Sequence, residues 1–80
     1  MKKLIRFTAS WCGPCKALAK NLETADLGIP IEVVDIDENI ELAAKYQIRG
    51  VPTLVLESEE GQKRLVGLQP VSAIKEWINS

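Results

Sequence analysis

Histidine is absent from this chain and cysteine occurs only twice. Without an imidazole there is no histidine base for a hydrolytic triad and no histidine metal ligand. A structural zinc site needs four ligands, which two cysteines cannot complete, so no metal and no cofactor are expected. A surplus of either charge sign is also missing. The net charge is −1 and acidic and basic residues are interspersed without blocks of like charge, leaving no field to gather nucleic acid or an anionic membrane. Long apolar runs are lacking too. Leu4-Ile5 is interrupted by Arg6, well short of the about 7–15 residues of a secretory h-region, and nothing approaches the ~20 of a membrane span. A cytoplasmic location is expected, and isolated disulfides there are usually transient and catalytic.

What remains is the composition of an ordinary globular protein, 46% apolar and 26% charged. Residues 1–80 are expected to form one domain, close to the lower size limit for a self-sufficient core. The run 3–7 reads as a first strand. From about Gly13 to Ala25, Cys15, Leu18, Ala19 and Leu22 recur on one helical face, and Gly28 and Pro30 close that helix. The run 31–36 reads as a second strand, with Val33-Val34 suggesting burial on both faces. Capping residues between Asp35 and Asn39 introduce a short helix over 40–46, with Ile40, Ala43, Ala44 and Gln47 inward. After the turn at Arg49–Pro52, the run 53–56 is a third strand. A hairpin loop at Glu59–Gln62 leads to a fourth strand over 63–66, and Pro70 opens a last helix that buries Val71, Ile74, Trp77 and Ile78. The order β-α-β-α-β-β-α predicts an α/β domain, with a four-stranded mixed sheet covered by helices on both faces.

The chemistry lies in Trp11-Cys12-Gly13-Pro14-Cys15-Lys16. Cysteines three apart at a helix start share one side and can meet the about 5.5 Å Cα separation of a disulfide. Cys12 falls at the N-cap or in the first turn, where unpaired backbone N–H groups favour a thiolate. Pro14 is tolerated there because a first-turn N–H has no acceptor to lose, and Gly13 leaves room for a partner's backbone. Acidifying a thiol toward neutrality raises its thiolate fraction about sixteenfold at neutral pH but cuts nucleophilicity roughly fivefold, a net gain of about threefold. Leaving-group quality and a tethered second thiol matter more. Cys12 is therefore read as the nucleophile toward a target disulfide and Cys15 as the thiol that resolves the mixed disulfide. A purely structural disulfide over so short a loop would add only roughly 2 kcal/mol.

These residues resemble the active-site hexapeptide of the thioredoxin family. The segment Tyr46-Gln47-Ile48-Arg49-Gly50-Val51-Pro52-Thr53 is similar to the family segment that carries a cis-proline, and Leu65-Val66-Gly67 to its glycine beside the substrate groove. The resemblance implies a minimal thioredoxin fold and reduction of protein disulfides. It also implies a monomer that acts on disulfide-containing target proteins and is recharged by a thioredoxin-reductase-like flavoenzyme. Pro52 would be the cis-proline and Val51 would offer backbone hydrogen bonds to a peptide, although a trans proline simply opening the third strand is the plain alternative. Trp11 shields the motif and contacts the target, or only packs. Gly67 borders the groove or is a bulge glycine.

Three features depart from the family pattern. The outline is the short one shared with glutaredoxins and archaeal mini-thioredoxins. Arg6 stands where the family commonly keeps a buried aspartate, and Val33 where it commonly keeps a lysine. An arginine in a central strand needs a partner, for which Asp35 on the next strand is the candidate. Arg6 then either lies near the sulfurs and makes the couple more oxidising or snorkels out without effect, while Lys16 either adds positive potential near the sulfurs or is simply solvated. Two other functions stay open: a glutathione-dependent, glutaredoxin-like reductase, and a redox-independent binding subunit. Gly13-Pro14 between the cysteines and Leu68-Gln69 after Gly67 speak against glutathione.

Overall fold

The computed structural model describes residues 1–80. Its elements run β1 (Lys3–Thr8), α1 (Gly13–Glu23), β2 (Ile31–Asp35), α2 (Ile40–Lys45), β3 (Thr53–Ser58), β4 (Gly61–Val66) and α3 (Val71–Ile78). The strands form one mixed sheet in the order β2-β1-β3-β4. β1 and β2 are parallel, joined through α1, whereas β1–β3 and β3–β4 are antiparallel. This is the expected order, with element ends shifted by a few residues.

Strand alternation sorts the core into two layers. Leu4, Leu54 and Leu56 meet Leu18 and Leu22 of α1 and Ile74 and Ile78 of α3. On the opposite face Ile5, Phe7, Val34 and Val55 pack with Leu42, Tyr46 and Ile48 from α2 and its exit. Removing such side chains from water is worth about 1.5–3 kcal/mol each, so a chain this small depends on nearly all of them. The C-terminal carbonyls of α3 are met by two lysines: Lys63 donates to the Trp77 carbonyl and Lys2 to that of Ile78.

Two expectations need correction. β2 is not buried on both faces. It is an edge strand, Val34 is its one buried residue, and Val33 is 54% exposed. A Val-Val pair reads alike in an edge strand and a central one, and only pairing decides. Similarly, α2 turns Leu42, Ala43 and Tyr46 inward rather than Ile40, Ala44 and Gln47; Ile40 is 70% exposed. Gln47 leaves the helix altogether at φ 56°, with its N–H on the Ala44 carbonyl and that of Ile48 on Ala43. Those two bonds make a Schellman ending, in which this position usually belongs to glycine.

Candidate active site

The site forms where the β1 C-terminus, the start of α1 and the loop before β3 converge. Cys12 is the N-cap of α1, extended at φ −92° and ψ 108°, and its Sγ accepts the backbone N–H of Cys15 at 3.1 Å. No acid stands in the first turn of the helix, so the sulfur serves the free N–H groups there. The Cys12 N–H donates to the Ala9 carbonyl at 3.2 Å, fixing the turn from β1 into the helix.

Cys12 and Cys15 are joined as a disulfide with a Cα separation of 5.2 Å. Both are buried, to 5% and 1% exposure, in a small apolar cluster with Ala9 against Ile36 and Val51. Cys12 is slightly the more exposed of the two. The Val51 carbonyl oxygen lies 3.7 Å from the Cys12 sulfur, a van der Waals contact in the oxidised pair and an acceptor for a thiol after reduction.

Pro52 is cis, buried, and followed by Thr53, whose hydroxyl donates to the Gly50 carbonyl at 2.7 Å. The Gly67 N–H donates to the Pro52 carbonyl at 2.9 Å. Gly67 therefore adjoins the proline loop, and its φ of +92° suits glycine alone. Trp11 is 68% exposed, and its Nε1–H donates to Asp37 Oδ2 at 2.8 Å. Gly13 and Pro14 are exposed on the helix start, with open space beside the Gly13 Cα. The structure thus gathers Trp11, Cys12, Gly13, Pro14, Cys15, Val51, Pro52 and Gly67 at one end of the sheet.

Lys16 is exposed and its side chain makes no hydrogen bond or ion pair. Arg6 is half-buried on the α1 side of β1, level with Val33 and Leu54, and burial holds its guanidinium below the usual range. Its expected partner is not there. Asp35 Oδ1 instead accepts the N–H groups of Asp37 at 2.8 Å and Glu38 at 3.3 Å, and the two ion pairs of the chain lie elsewhere. A same-face strand position allowed that pair, but a carboxylate just before two free N–H groups turns to them.

Asp37, Thr53 and Ala9 are site residues that the sequence reading missed. Asp37 was absorbed into the capping run before α2, and no local pattern couples it to an indole 26 residues away. Thr53 reads as an ordinary strand residue and Ala9 contributes a backbone carbonyl.

Comparison with known proteins agrees with this geometry. The thioredoxin family pattern matches residues 1–80. The thioredoxin of Bacillus subtilis is 43% identical over 81 residues, covering 95% of this chain and 78% of its own. That of Rickettsia bellii is 40% identical over 82 residues, covering 96% and 78%. Among solved structures, a mutant thioredoxin from Halobacterium salinarum has a TM-score of 0.84 at 41% identity, over 98% of this chain and 72% of that one. Fasciola hepatica thioredoxin reaches 0.87 at 30% identity, over 98% and 78%.

Proposed function

The chain belongs to the thioredoxin family, and from that premise we propose that it is a cytoplasmic, monomeric reductant of protein disulfides, with Cys12 as nucleophile and Cys15 as resolving thiol. That it is a thiol–disulfide oxidoreductase acting on disulfide targets follows from the family and its cysteine pair. The observation that carries the finer reading is the asymmetry of the pair. Cys12 caps the helix beside the Val51 carbonyl, while Cys15 is 1% exposed.

In the dithiol form the Cys12 thiolate is stabilised by the Cys15 N–H and the helix N-terminus. It attacks one sulfur of the target disulfide, and the second target sulfur leaves as a thiolate and takes a proton. The Cys15 thiol then loses its proton and attacks Cys12, expelling the first target sulfur. Two electrons and two protons reach the target, and the Cys12–Cys15 bond is left. An approaching peptide can lie extended along Val51, with Trp11 and Gly67 on its flanks.

A reducing compartment and an enzymatic hydride source fit a carrier that must be recharged after every cycle. The Gly13-Pro14 spacer and the residues after Gly67 favour a thioredoxin-reductase-like flavoenzyme over glutathione. Insulin disulfide reduction tests the proposal. Turnover with NADPH and a thioredoxin reductase, little with glutathione, and none in Cys12→Ser are expected, with Cys15→Ser trapping a mixed disulfide through Cys12. Turnover by glutathione alone, or trapping through Cys15, would refute it.

A further inference from the structure

Beside the proline loop, on the face of the sheet that carries α2, lies an open hollow of about 290 Å³. Arg49, Gly50, Thr53, Arg64 and Val66 are among its lining residues, which include two arginines and no acidic residue. Neither arginine forms an ion pair. Arg64 is held in place: its Nη2 donates to the Tyr46 carbonyl at the end of α2, at 2.7 Å, which leaves other N–H donors of the planar group free. Glu57, the carboxylate nearest in strand register, is already engaged by the Tyr46 hydroxyl and the Gln62 amide. Val66, 61% exposed, supplies an apolar wall.

The hollow adjoins the cysteine site along the chain. Gly50 joins it to Val51, whose carbonyl lies 3.7 Å from the Cys12 sulfur, and Val66 joins it to Gly67, bonded to Pro52. Arg49 precedes Val51 by two residues, a span of at most about 7 Å. An extended peptide whose cysteine reaches Cys12 also advances about 7 Å in two residues and returns a side chain to the same face. We propose that this hollow receives the carboxylate of an acidic residue two positions from the attacked cysteine of a target protein, making Arg49 and Arg64 specificity determinants. The proposal rests on the reading of the chain as a protein-disulfide reductase.

The test uses disulfide peptides with Glu, Gln or Lys two positions before or after the reacting cysteine. Rates are compared at low and high salt. At one of the two positions, the Glu peptide should be reduced about fivefold faster than the Gln peptide at low salt, with the advantage lost at high salt. Arg49→Gln with Arg64→Gln should abolish the preference and leave the Gln peptide's rate unchanged, while Arg49→Glu should transfer it to the Lys peptide. Because Arg64 also holds the α2 exit, the Arg49 variant alone provides a reading free of structural change. An amide and guanidinium NMR titration of the oxidised protein with cysteine-to-serine peptides reads the pocket without turnover. The Glu peptide should shift the Arg49, Arg64 and Gly50 signals and the Gln peptide should not. Equal rates for Glu and Gln peptides, a preference that survives both substitutions, or absent shifts would overturn the proposal. Failure to reduce any peptide would instead count against the reductase reading, with the titration still deciding the pocket.

Discussion

Reduction of the Cys12–Cys15 bond should cost the fold a calculable amount of stability. The bond closes a loop of four residues, Cys12 to Cys15. In the chain-entropy relation that closure removes about 6.2 cal/mol/K from the unfolded state, or about 1.9 kcal/mol at room temperature. Through the thermodynamic cycle, the folded couple is then roughly 40 mV more reducing than the same pair in the unfolded chain. Urea titrations of both forms check this, using a slope of about 1–1.5 kcal/mol/M for a chain of this size. The oxidised midpoint should lie roughly 1.5 M higher. Equal midpoints for the two forms would refute the reasoning.

Arg6→Met should stabilise both forms by about 1 kcal/mol, since an unpaired, half-buried cation is exchanged for an apolar chain of similar length. If the guanidinium also tunes the sulfurs, the same variant makes the couple more reducing; redox equilibration against glutathione reads the potential, and an unchanged value confines Arg6 to stability. Gln47→Gly should stabilise by about 0.5–1 kcal/mol, because Gln47 holds φ 56° at the end of α2, and thermal unfolding measures the gain. The Tyr46 hydroxyl donates to Glu57 at 2.7 Å, and this bond, with burial and the Glu57 charge, raises its pKa. Below the ordinary tyrosine range the neutral hydroxyl's bond supports the fold; as pH rises through that range the unfolded state loses its proton first and the support declines. Tyr46→Phe should flatten the fall in stability above about pH 10. A profile identical to the parent's would show that the bond carries no such linkage.

The active-site cysteines were legible in sequence because their chemistry is local. Spacing, helix position and the missing histidines define a dithiol couple within six residues, and the structure places Cys12 at the N-cap as expected. Element order was legible for a similar reason, since hydrophobic period and the Gly and Pro punctuation act over a few residues. Contacts across the chain were not. Val33 read as buried because a β-branched pair looks alike in an edge and a central strand, and β2 became an edge only through the pairing of β1 with β3. Asp35 was open to Arg6 by register, yet the nearby N–H groups of Asp37 and Glu38 take it at no cost in chain entropy. The bond between Trp11 and Asp37, the approach of Val51 to Cys12 and the hollow shared by Arg49 and Arg64 involve residues 15 or more positions apart. By itself the sequence determined the reacting sulfurs and the order of helices and strands. Only the tertiary structure decided what surrounds those sulfurs, because packing the sheet, and no property of the local chain, brings the proline loop and β4 to the end of α1.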